Sequence, residues 1–381
     1  MGPKVAVVTN CYPPRFGGIE TFVHQLALSL PADKIVVIAP ADAGSVEFDH
    51  QQPFPVVRLP QRNIFPSRSV AKLISEIAKK HNCRRLLFTE LVPLGLMSSH
   101  LKAAGFERIV SLSHGAELAW TKLPIARSLV RRAVRNTDAV TYLADDFRDK
   151  LQRATGAAGK LHKLSPGVDT DEFSPLRDGS DLKTRLGLQD RQIVLCVSRL
   201  VPRKGQDKLI QAMPMILREC PNAALLIVGT GPNEQKLQAM RHRSSAKDRI
   251  WLLGEVCKHE LPAHYAAADV FAMPCRSRFG GLELEGFGIV YLEAASSGLP
   301  VVAGRSGGAV EAVQDGVSGL LVDGTDHVSI AQAITRILKD NEFRQKLGKM
   351  GRQRVLNHSS WDVVAENLSA LLWPENDRCG G

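Results

Sequence analysis

The feature that most constrains the fold is a series of short, continuously apolar segments that alternate with amphipathic ones. The apolar segments of the first half are KVAVVTN (residues 4–10), KIVVIAP (34–40), RRLLFTE (84–90), RIVSLSH (108–114) and AVTYLA (139–144). Strands that are apolar on both faces are typical of parallel sheets covered by helices on both sides. The stretches between them, such as residues 20–30 and 69–80, have helical spacing. The pattern predicts a doubly wound α/β sheet.

A stretch containing proline and glycine, LSPGVDTDEFSP (residues 164–175), interrupts this series and marks a domain boundary. The alternation then restarts with RQIVLCVSRL (191–200), AALLIVGTG (223–231), RIWLLGEV (249–256), DVFAMP (269–274), LPVVAG (299–304) and GLLVD (319–323). A chain of 381 residues is long enough for about two domains. We therefore predict two Rossmann-like domains, residues 1–167 and 168–358, that face a cleft, a common place for a ligand.

The positive charge of the chain is confined to its first half. Residues 1–168 hold 23 lysines and arginines against 13 acidic residues, whereas residues 169–381 hold 26 of each. This asymmetry indicates a nucleic acid, an anionic membrane or a highly charged substrate, although a solvated surface without a partner has the same composition. Charge alone would allow nucleic-acid binding, but no RNA- or DNA-binding motif is present, and we expect no nucleic-acid partner.

The seven cysteines are scattered and form no CxxC pair. Their distribution predicts a reducing cytoplasm and no cysteine zinc site. The N-terminus runs directly into an apolar strand without a signal peptide, and no apolar run approaches the roughly 18–20 residues of a membrane span. We therefore expect a cytoplasmic protein without a transmembrane anchor.

A glycine pair follows the first strand, in CYPPRFGGIETF (residues 11–22). Gly17 and Gly18 let the backbone approach a ligand where a helix begins, and free N–H groups and the helix dipole favour an anion there. The spacing is neither GxGxxG nor a P-loop, so a dinucleotide fold or a Walker ATPase is not supported. A plain turn into a helix explains the glycines equally well.

Two basic residues follow the first strand of the second series, in SRLVPRKGQDKL (residues 198–209). Arg199 and Lys204 fall at the carboxyl edge of the predicted sheet, where α/β folds bind ligands. A guanidinium and an ammonium that converge there can hold a diphosphate. The alternative is a run of solvated surface charges.

The segment EGFGIVYLE (residues 285–293) combines a helix start suited to a phosphate with two carboxylates. Backbone N–H groups from Gly288 to Val290 can face a phosphate, while Glu285 precedes the helix and Glu293 lies more than one turn along it. A carboxylate accepts two hydrogen bonds and so suits a vicinal diol. The pattern predicts a nucleotide sugar with a carboxylate on each side of its diphosphate; a capped helix with a surface glutamate is the simpler alternative.

Two other motifs are weaker. SLSHGAE (residues 111–117) ends a strand of the first domain and places His114 toward the expected cleft, although most lone histidines are structural. The motif DTD (169–171) looks like the metal-binding motif of some sugar transferases. It lacks a third acidic ligand nearby, and Asx-turn chemistry explains it. We therefore expect a reaction that requires no metal.

Together, FGGIE, SHG, SRLVPRKG, EGFGIVYLE and GGAVEAV (residues 307–313) resemble the retaining glycosyltransferases of family 4, which have the GT-B fold. The resemblance spans nearly the whole chain, and the E-x7-E element of Glu285 and Glu293 is its most specific part. Within the family, residues 275–304 are most similar to the actinobacterial GDP-mannose-dependent phosphatidylinositol mannosyltransferases.

The resemblance implies roles for the matching residues of the second domain. Arg199 and Lys204 would bind the donor diphosphate, Glu285 the hexose hydroxyls and Glu293 the ribose. The catalytic set would comprise Arg199, Lys204, Glu285 and His114. Backbone contacts to the hexose and the diphosphate would come from Phe287, Gly288, Ile289 and Val290.

Other positions would complete the donor site. Gly17 and Gly18 would approach the phosphate from the first domain, and His114 would lie beside the donor sugar. Val256 would be the backbone partner of the base, and Lys258 would help to select guanine. The last segment, residues 359–381, would form a helix that crosses back to the first domain, followed by a tail.

The implied reaction moves mannose from GDP-mannose to a phosphatidylinositol mannoside lipid, as the second mannose, with retained configuration and no cofactor. The first mannose transfer is not separated from the second by the sequence. A family-4 transferase that uses a UDP- or ADP-sugar and another acceptor is an alternative. A sugar-nucleotide epimerase or hydrolase and a non-catalytic sugar-nucleotide binding protein are alternatives of a different class.

A lipid acceptor agrees with the basic first half. Arg127, Arg131 and Arg135 recur every four residues and share a helix face, with Leu129 and Val130 expected to pack on the other. A second basic stretch, residues 62–80, contains Phe65, Lys72, Lys79 and Lys80. Such stretches predict peripheral binding to the anionic inner face of the plasma membrane; an ordinary core-facing helix is the alternative for each.

Overall fold

The computed structural model describes residues 3–374, except residues 16, 116, 118–120, 122, 158 and 282. The chain divides into two compact units. The first comprises Met1–Gly167 and Trp361–Gly381, and the second comprises Val168–Ser360. Each unit is built around one parallel sheet with helices between successive strands.

The sheet of the first unit has seven strands: β1 (Lys4–Val8), β2 (Ile35–Pro40), β3 (Val56–Leu59), β4 (Cys83–Phe88), β5 (Arg108–Ser111), β6 (Ala139–Tyr142) and β7 (Leu161–Lys163). Their order is β3-β2-β1-β4-β5-β6-β7, and all neighbours are parallel. Its helices up to the boundary are α1 (Gly18–Leu28), α2 (Ser45–Asp49), α3 (Arg68–Lys80), α4 (Ser98–Ala103), α5 (Pro124–Asn136) and α6 (Asp145–Thr155).

The sheet of the second unit has six strands: β8 (Gln192–Val197), β9 (Ala223–Val228), β10 (Ile250–Gly254), β11 (Val270–Met273), β12 (Val301–Gly304) and β13 (Gly319–Val322). Their order is β10-β9-β8-β11-β12-β13, again parallel throughout. The helices are α7 (Ser180–Leu186), α8 (Gln206–Glu219), α9 (Glu234–Arg243), α10 (Leu261–Ala266), α11 (Ile289–Ser296), α12 (Ala309–Ala312), α13 (His327–Lys339) and α14 (Asn341–His358).

Both sheets confirm the predicted doubly wound α/β class. The sequence analysis missed β3 and β7, the two edge strands of the first sheet. Both are short and only partly buried, so they lack the continuous apolar run that marks the central strands.

The last helix, α15 (Trp361–Leu372), belongs to the first unit. Its Leu368 and Leu372 are fully buried, and the backbone carbonyl of Leu372 accepts a hydrogen bond from the buried Arg85 of β4. A Cβ at Gly167 would lie 2.6 Å from the Trp361 ring, so glycine permits this packing. Among the described helices, none combines the length and apolarity that a bilayer crossing needs.

Candidate functional site

The carboxyl ends of β8 and β11 form the part of the second sheet where a ligand is expected. The two strands are neighbours, with Val270 opposite Val194, and the strand order reverses between them. In doubly wound sheets, ligands bind outside the carboxyl ends at this reversal. The loops that follow these strands, residues 198–205 and 274–288, therefore build the candidate site.

Lys204 lies in the first of these loops. It ends a 3-10 turn, Pro202–Lys204, and is followed by Gly205 at φ 81°. A Cβ at Gly205 would lie 2.1 Å from the carbonyl oxygen of Pro274, so glycine is required for the two loops to approach this closely. The Nζ atom of Lys204 lies 2.7 Å from Oε2 of Glu285 in the second loop.

The Lys204–Glu285 ion pair is nearly buried, with side chains 11% and 6% exposed. Desolvating two charges costs several kcal/mol for each, so the arrangement is favourable only while the charges stay together. The structure thus joins two residues to which the sequence analysis gave separate partners, a diphosphate and a hexose. Their contact with each other was not foreseen.

A chain of alternating charges extends this pair. Arg203 lies 4.0 Å from Glu285 and 3.6 Å from Glu283, and Glu283 lies 3.0 Å from Arg278. The sequence analysis missed Arg203, Glu283 and Arg278. A signal was present in LELEG, because residues two apart in an extended segment share a side and Glu283 is two residues from Glu285.

Arg199 lies two residues after β8 and forms no ion pair in the described part of the chain. Its side chain is exposed, and its backbone carbonyl accepts a 3.1 Å hydrogen bond from Nε2 of the buried Gln206. The backbone of Arg199 is therefore fixed while its guanidinium lies in solvent at the sheet edge. Its convergence with Lys204 on a diphosphate stays a prediction.

The second loop ends at Gly288, immediately before α11. Gly288 precedes the helix at φ 85°, and a Cβ there would lie 2.6 Å from the Tyr291 ring. No side chain caps this helix end, which leaves backbone N–H groups that can bind an anion. Phe287 is buried and anchors the loop, whereas Ile289 and Val290 are half-buried.

The GGAVEAV motif supports the backbone of the same loop. The N–H of Gly308 donates a 3.0 Å hydrogen bond to the carbonyl oxygen of Glu285. A Cβ at Gly307 would lie 1.9 Å from that oxygen. The two glycines therefore permit the close packing that fixes the position of Glu285.

Glu293 lies in a different environment from Glu285. Its Oε2 accepts a 2.6 Å hydrogen bond from the hydroxyl of Tyr265, which is fully buried. Burial raises the pKa of Glu293 to about 7; Glu172 raises it further, and the Tyr265 hydrogen bond and Lys258 oppose the shift. The sequence analysis missed Tyr265, because nothing in the local spacing links it to a residue 28 positions away.

The predicted base-binding segment follows β10. Val256 is half-buried, and Lys258 is exposed at the start of a 3-10 turn, Lys258–Glu260. Lys258 is close enough to Glu293 to lower its pKa. The structure therefore brings the residues predicted to contact the base and the ribose into one region of the second unit.

In the first unit, α1 begins at Gly18, after the loop that follows β1. A Cβ at Gly17 would lie 2.0 Å from Oε2 of Glu20, whereas a Cβ at Gly18 would meet nothing within 4 Å. No side chain caps this helix end either. The carboxylate of Glu20 can move away from Gly17, so this contact does not require glycine, and Gly18 faces open space.

His114 follows β5, and its Nε2 lies 2.7 Å from the carbonyl oxygen of Thr89. Burial lowers the pKa of His114, while Glu117 and the Thr89 contact oppose the shift. The ring also packs edge-on against Phe22, with centroids 5.7 Å apart. Because a carbonyl can only accept, the neutral ring carries its proton on Nε2 and leaves Nδ1 as an acceptor.

The predicted membrane helix is α5. Arg127 and Arg131 both donate from Nε to the carbonyl oxygen of Ala154, at 3.2 and 2.8 Å, and Arg135 is exposed. Val130 is buried as expected. The expectation that Leu129 packs inside is wrong, because its side chain is 38% exposed.

Leu129 is one of three exposed apolar side chains near the start of α5; the others are Leu123 at 64% and Ile125 at 82%. The second basic stretch contains α3, whose Lys72, Lys79 and Lys80 are exposed. Phe65, before α3, is 69% exposed. Apolar and basic groups therefore share solvent-exposed surface around both helices.

The DTD motif forms the predicted Asx turn. Oδ1 of Asp169 accepts hydrogen bonds from the N–H groups of Asp171 and Glu172, at 3.0 and 2.8 Å. Across the described residues, no group of three or more potential metal-binding side chains is found.

Comparisons with known proteins agree with this architecture. The family model described as Glycosyltransferase Family 4 matches residues 16–172, and the one described as Glycosyl transferases group 1 matches residues 180–354. A GDP-mannose-dependent alpha-(1-6)-phosphatidylinositol monomannoside mannosyltransferase of Mycolicibacterium smegmatis is 41% identical over 371 residues, 96% of this chain and 97% of the relative. The chain belongs to glycosyltransferase family 4.

Another family-4 relative is the Corynebacterium glutamicum GDP-mannose-dependent monoacylated alpha-(1-6)-phosphatidylinositol monomannoside mannosyltransferase. It is 36% identical over 377 residues, 98% of both chains. Among solved structures, Anabaena HepE in complex with UDP has a TM-score of 0.82 at 22% identity, and the match covers 97% of this chain and 99% of HepE. These matches confirm the resemblance and the GT-B fold.

Proposed function

We propose that this protein transfers mannose from GDP-mannose to a phosphatidylinositol mannoside lipid, as the second mannose. The observation that carries the proposal is the 41% identity to a relative of that name across nearly the full length of both chains. The second unit also retains a buried Lys204–Glu285 pair at the ligand edge of its sheet.

Donor binding follows from the charges of this site. The diphosphate of GDP-mannose binds Lys204, Arg199 and the uncapped start of α11, formed by Gly288, Ile289 and Val290. The mannose hydroxyls bind Glu285 and the backbone at Phe287.

Two more regions complete the proposed donor site. The ribose diol binds Glu293, and the guanine base lies near Val256 and Lys258. From the first unit, Gly17 and Gly18 approach the diphosphate, and His114 lies beside the mannose.

The proposed reaction is a front-face substitution with retained configuration. The acceptor oxygen bonds to the anomeric carbon as the bond from that carbon to the β-phosphate oxygen breaks, and the acceptor proton passes to that leaving oxygen. Negative charge grows on the β-phosphate, so Lys204, Arg199 and the helix N–H groups bind the transition state more tightly than the ground state. We expect no divalent metal, because these groups supply the positive charge.

The lipid acceptor requires contact with a membrane. The exposed basic residues of α3 and α5 favour an anionic surface, with about 1 kcal/mol for each residue near the bilayer. The exposed side chains of Phe65, Leu123 and Ile125 can insert among the head groups. We propose peripheral association with the inner face of the plasma membrane.

The test is incubation of the protein with labelled GDP-mannose and either phosphatidylinositol or phosphatidylinositol monomannoside. We expect label in the dimannoside, with activity retained in EDTA. Parallel reactions with UDP- and ADP-sugars address the other donors, and a reaction without lipid detects a hydrolase. Absence of labelled dimannoside in the reaction with GDP-mannose and the monomannoside contradicts the proposal, whatever the other donors give.

Vesicle flotation tests the membrane contact separately. We expect binding to anionic vesicles at low salt and weaker binding at high salt. A variant with Lys72, Lys79 and Lys80 replaced by Gln should float less, whereas Lys339→Gln, at an exposed position of the second unit, should float like the unmodified protein. Equal flotation of all three proteins contradicts the contact.

A further inference from the structure

The first unit has a carboxylate at its own ligand edge that the proposed donor site does not use. Glu90 lies two residues after β4, and β4 is the neighbour of both β1 and β5. The strand order reverses between β1 and β4, so Glu90 stands at the switch point of the first sheet. Two proposed donor contacts, Gly18 and His114, follow β1 and β5. Glu90 follows β4, which lies between these two strands in the sheet.

Neighbouring backbone holds the Glu90 carboxylate in place. The N–H of Asn10 donates to both carboxylate oxygens, at 3.2 and 3.4 Å. The Asn10 side chain is itself fixed, because its Oδ1 accepts from the N–H of Ile64 at 2.6 Å and its Nδ2 donates to the Ile64 carbonyl at 3.3 Å. The orientation of Glu90 is therefore set by three separate loops of the first unit.

In the described residues of this basic unit, no lysine or arginine forms an ion pair with Glu90. Burial raises its pKa to about 7, and hydrogen bonding, including that from the N–H of Asn10, opposes the shift. The residue is mostly buried but keeps some exposed surface through which a ligand can reach it. The hydroxyl groups of a neutral polyol can donate hydrogen bonds to the Glu90 carboxylate, whereas a phosphate would be repelled by its negative charge.

We infer that Glu90 positions the acceptor by accepting a hydrogen bond from a hydroxyl of its carbohydrate head group. The inference rests on the proposed function, because it takes the mannose beside His114 as the place that the acceptor must reach. Glu90 is then a specificity-determining residue of the first unit and acts on the acceptor rather than on GDP-mannose.

The experiment measures initial rates for Glu90→Gln and Glu90→Ala with lipid acceptor varied at saturating GDP-mannose, and with GDP-mannose varied at saturating acceptor. We expect the acceptor KM to rise about tenfold in the alanine variant, the effect of roughly one charged hydrogen bond, and less in the glutamine variant. The donor KM and the rate of GDP-mannose hydrolysis without lipid should stay close to the wild-type values. Glu47→Gln, at an exposed position in the same unit, is the matched control.

An unchanged acceptor KM, or an equal rise in the donor KM, overturns the inference while the proposed function stands. If the alanine variant does not fold by circular dichroism, the glutamine variant decides, since it keeps the shape of the side chain. Failure of the wild-type protein to mannosylate any lipid overturns the proposed function, and the inference with it.

Discussion

The first six strands of the first sheet have the same order as the six of the second, but the carboxylates at the two ligand edges have opposite surroundings. In the second unit, Glu285 is paired at 2.7 Å with Lys204. In the first unit, Glu90 is held by the backbone N–H of Asn10 and by no cation in the described residues. In both units a glutamate lies in the loop after the strand at the reversal of strand order, Glu90 after β4 and Glu285 after β11. The neighbouring loops determine whether that glutamate is paired with a cation. The paired edge suits a ligand with both phosphates and hydroxyls, and the unpaired edge suits hydroxyls alone.

The largest expected effect comes from Lys204→Ala. It removes a proposed diphosphate contact, so transfer should fall at least about a hundredfold. It also leaves Glu285 buried without its partner, which should lower the free energy of unfolding by about 3 kcal/mol. The cost should not be larger, because Arg203 remains 4.0 Å from Glu285 and offsets part of its charge. Enzyme assays and urea unfolding measure the two effects.

The double variant Lys204→Met/Glu285→Gln separates stability from activity. It should regain most of the stability, because no unpaired charge is left buried, but it should not regain transfer. Lys339→Ala is the control for a pair at the surface, since Lys339 and Glu219 are both 56% exposed. It should change the free energy of unfolding by no more than about 0.5 kcal/mol. Equal destabilisation by Lys204→Ala and Lys339→Ala would contradict the expected difference between the buried and the exposed ion pair.

Arg199→Ala tests the solvent-exposed cation of the same edge. Transfer should fall about a hundredfold if the guanidinium contacts the diphosphate in the transition state. The melting temperature of the free protein should hardly change, because Arg199 has no ion pair in the described structure to lose. Near-normal turnover would remove Arg199 from the donor site.

Glu285→Gln tests the proposed division between sugar and nucleotide. Affinity for GDP-mannose should fall by about tenfold, roughly one charged hydrogen bond, while affinity for GDP should change less. Isothermal titration of both ligands measures the difference. Equal losses for GDP and GDP-mannose would contradict the hexose role of Glu285.

The raised pKa of Glu293 predicts that the stability of the protein depends on pH. Its folded pKa of about 7 exceeds its unfolded value of 4.5, so the folded state favours the protonated form. Ionisation of this carboxyl therefore lowers the free energy of unfolding as pH rises from about 4.5 to about 7, and above pH 7 its contribution changes little further. Glu293→Gln should gain stability over the wild type at pH 8, by up to roughly 3 kcal/mol, and little at pH 4. Thermal melts of both proteins test this, and a difference independent of pH would contradict it.

The sequence predicted the fold well because parallel strands buried on both faces give long apolar runs. It also singled out Lys204 and Glu285, which the structure joins in an ion pair, although their roles toward a donor stay predictions. It could not find partners that tertiary packing brings together, such as Tyr265 with Glu293. It also misplaced Leu129, because apolar character alone does not tell which face of α5 is covered.

A crystal structure of the protein with GDP-mannose tests the central claim most directly. We predict that Nζ of Lys204 lies within about 3.2 Å of a diphosphate oxygen and that a carboxylate oxygen of Glu285 lies within the same distance of a mannose hydroxyl. A donor bound elsewhere, with Lys204 and Glu285 contacting only each other, would contradict it.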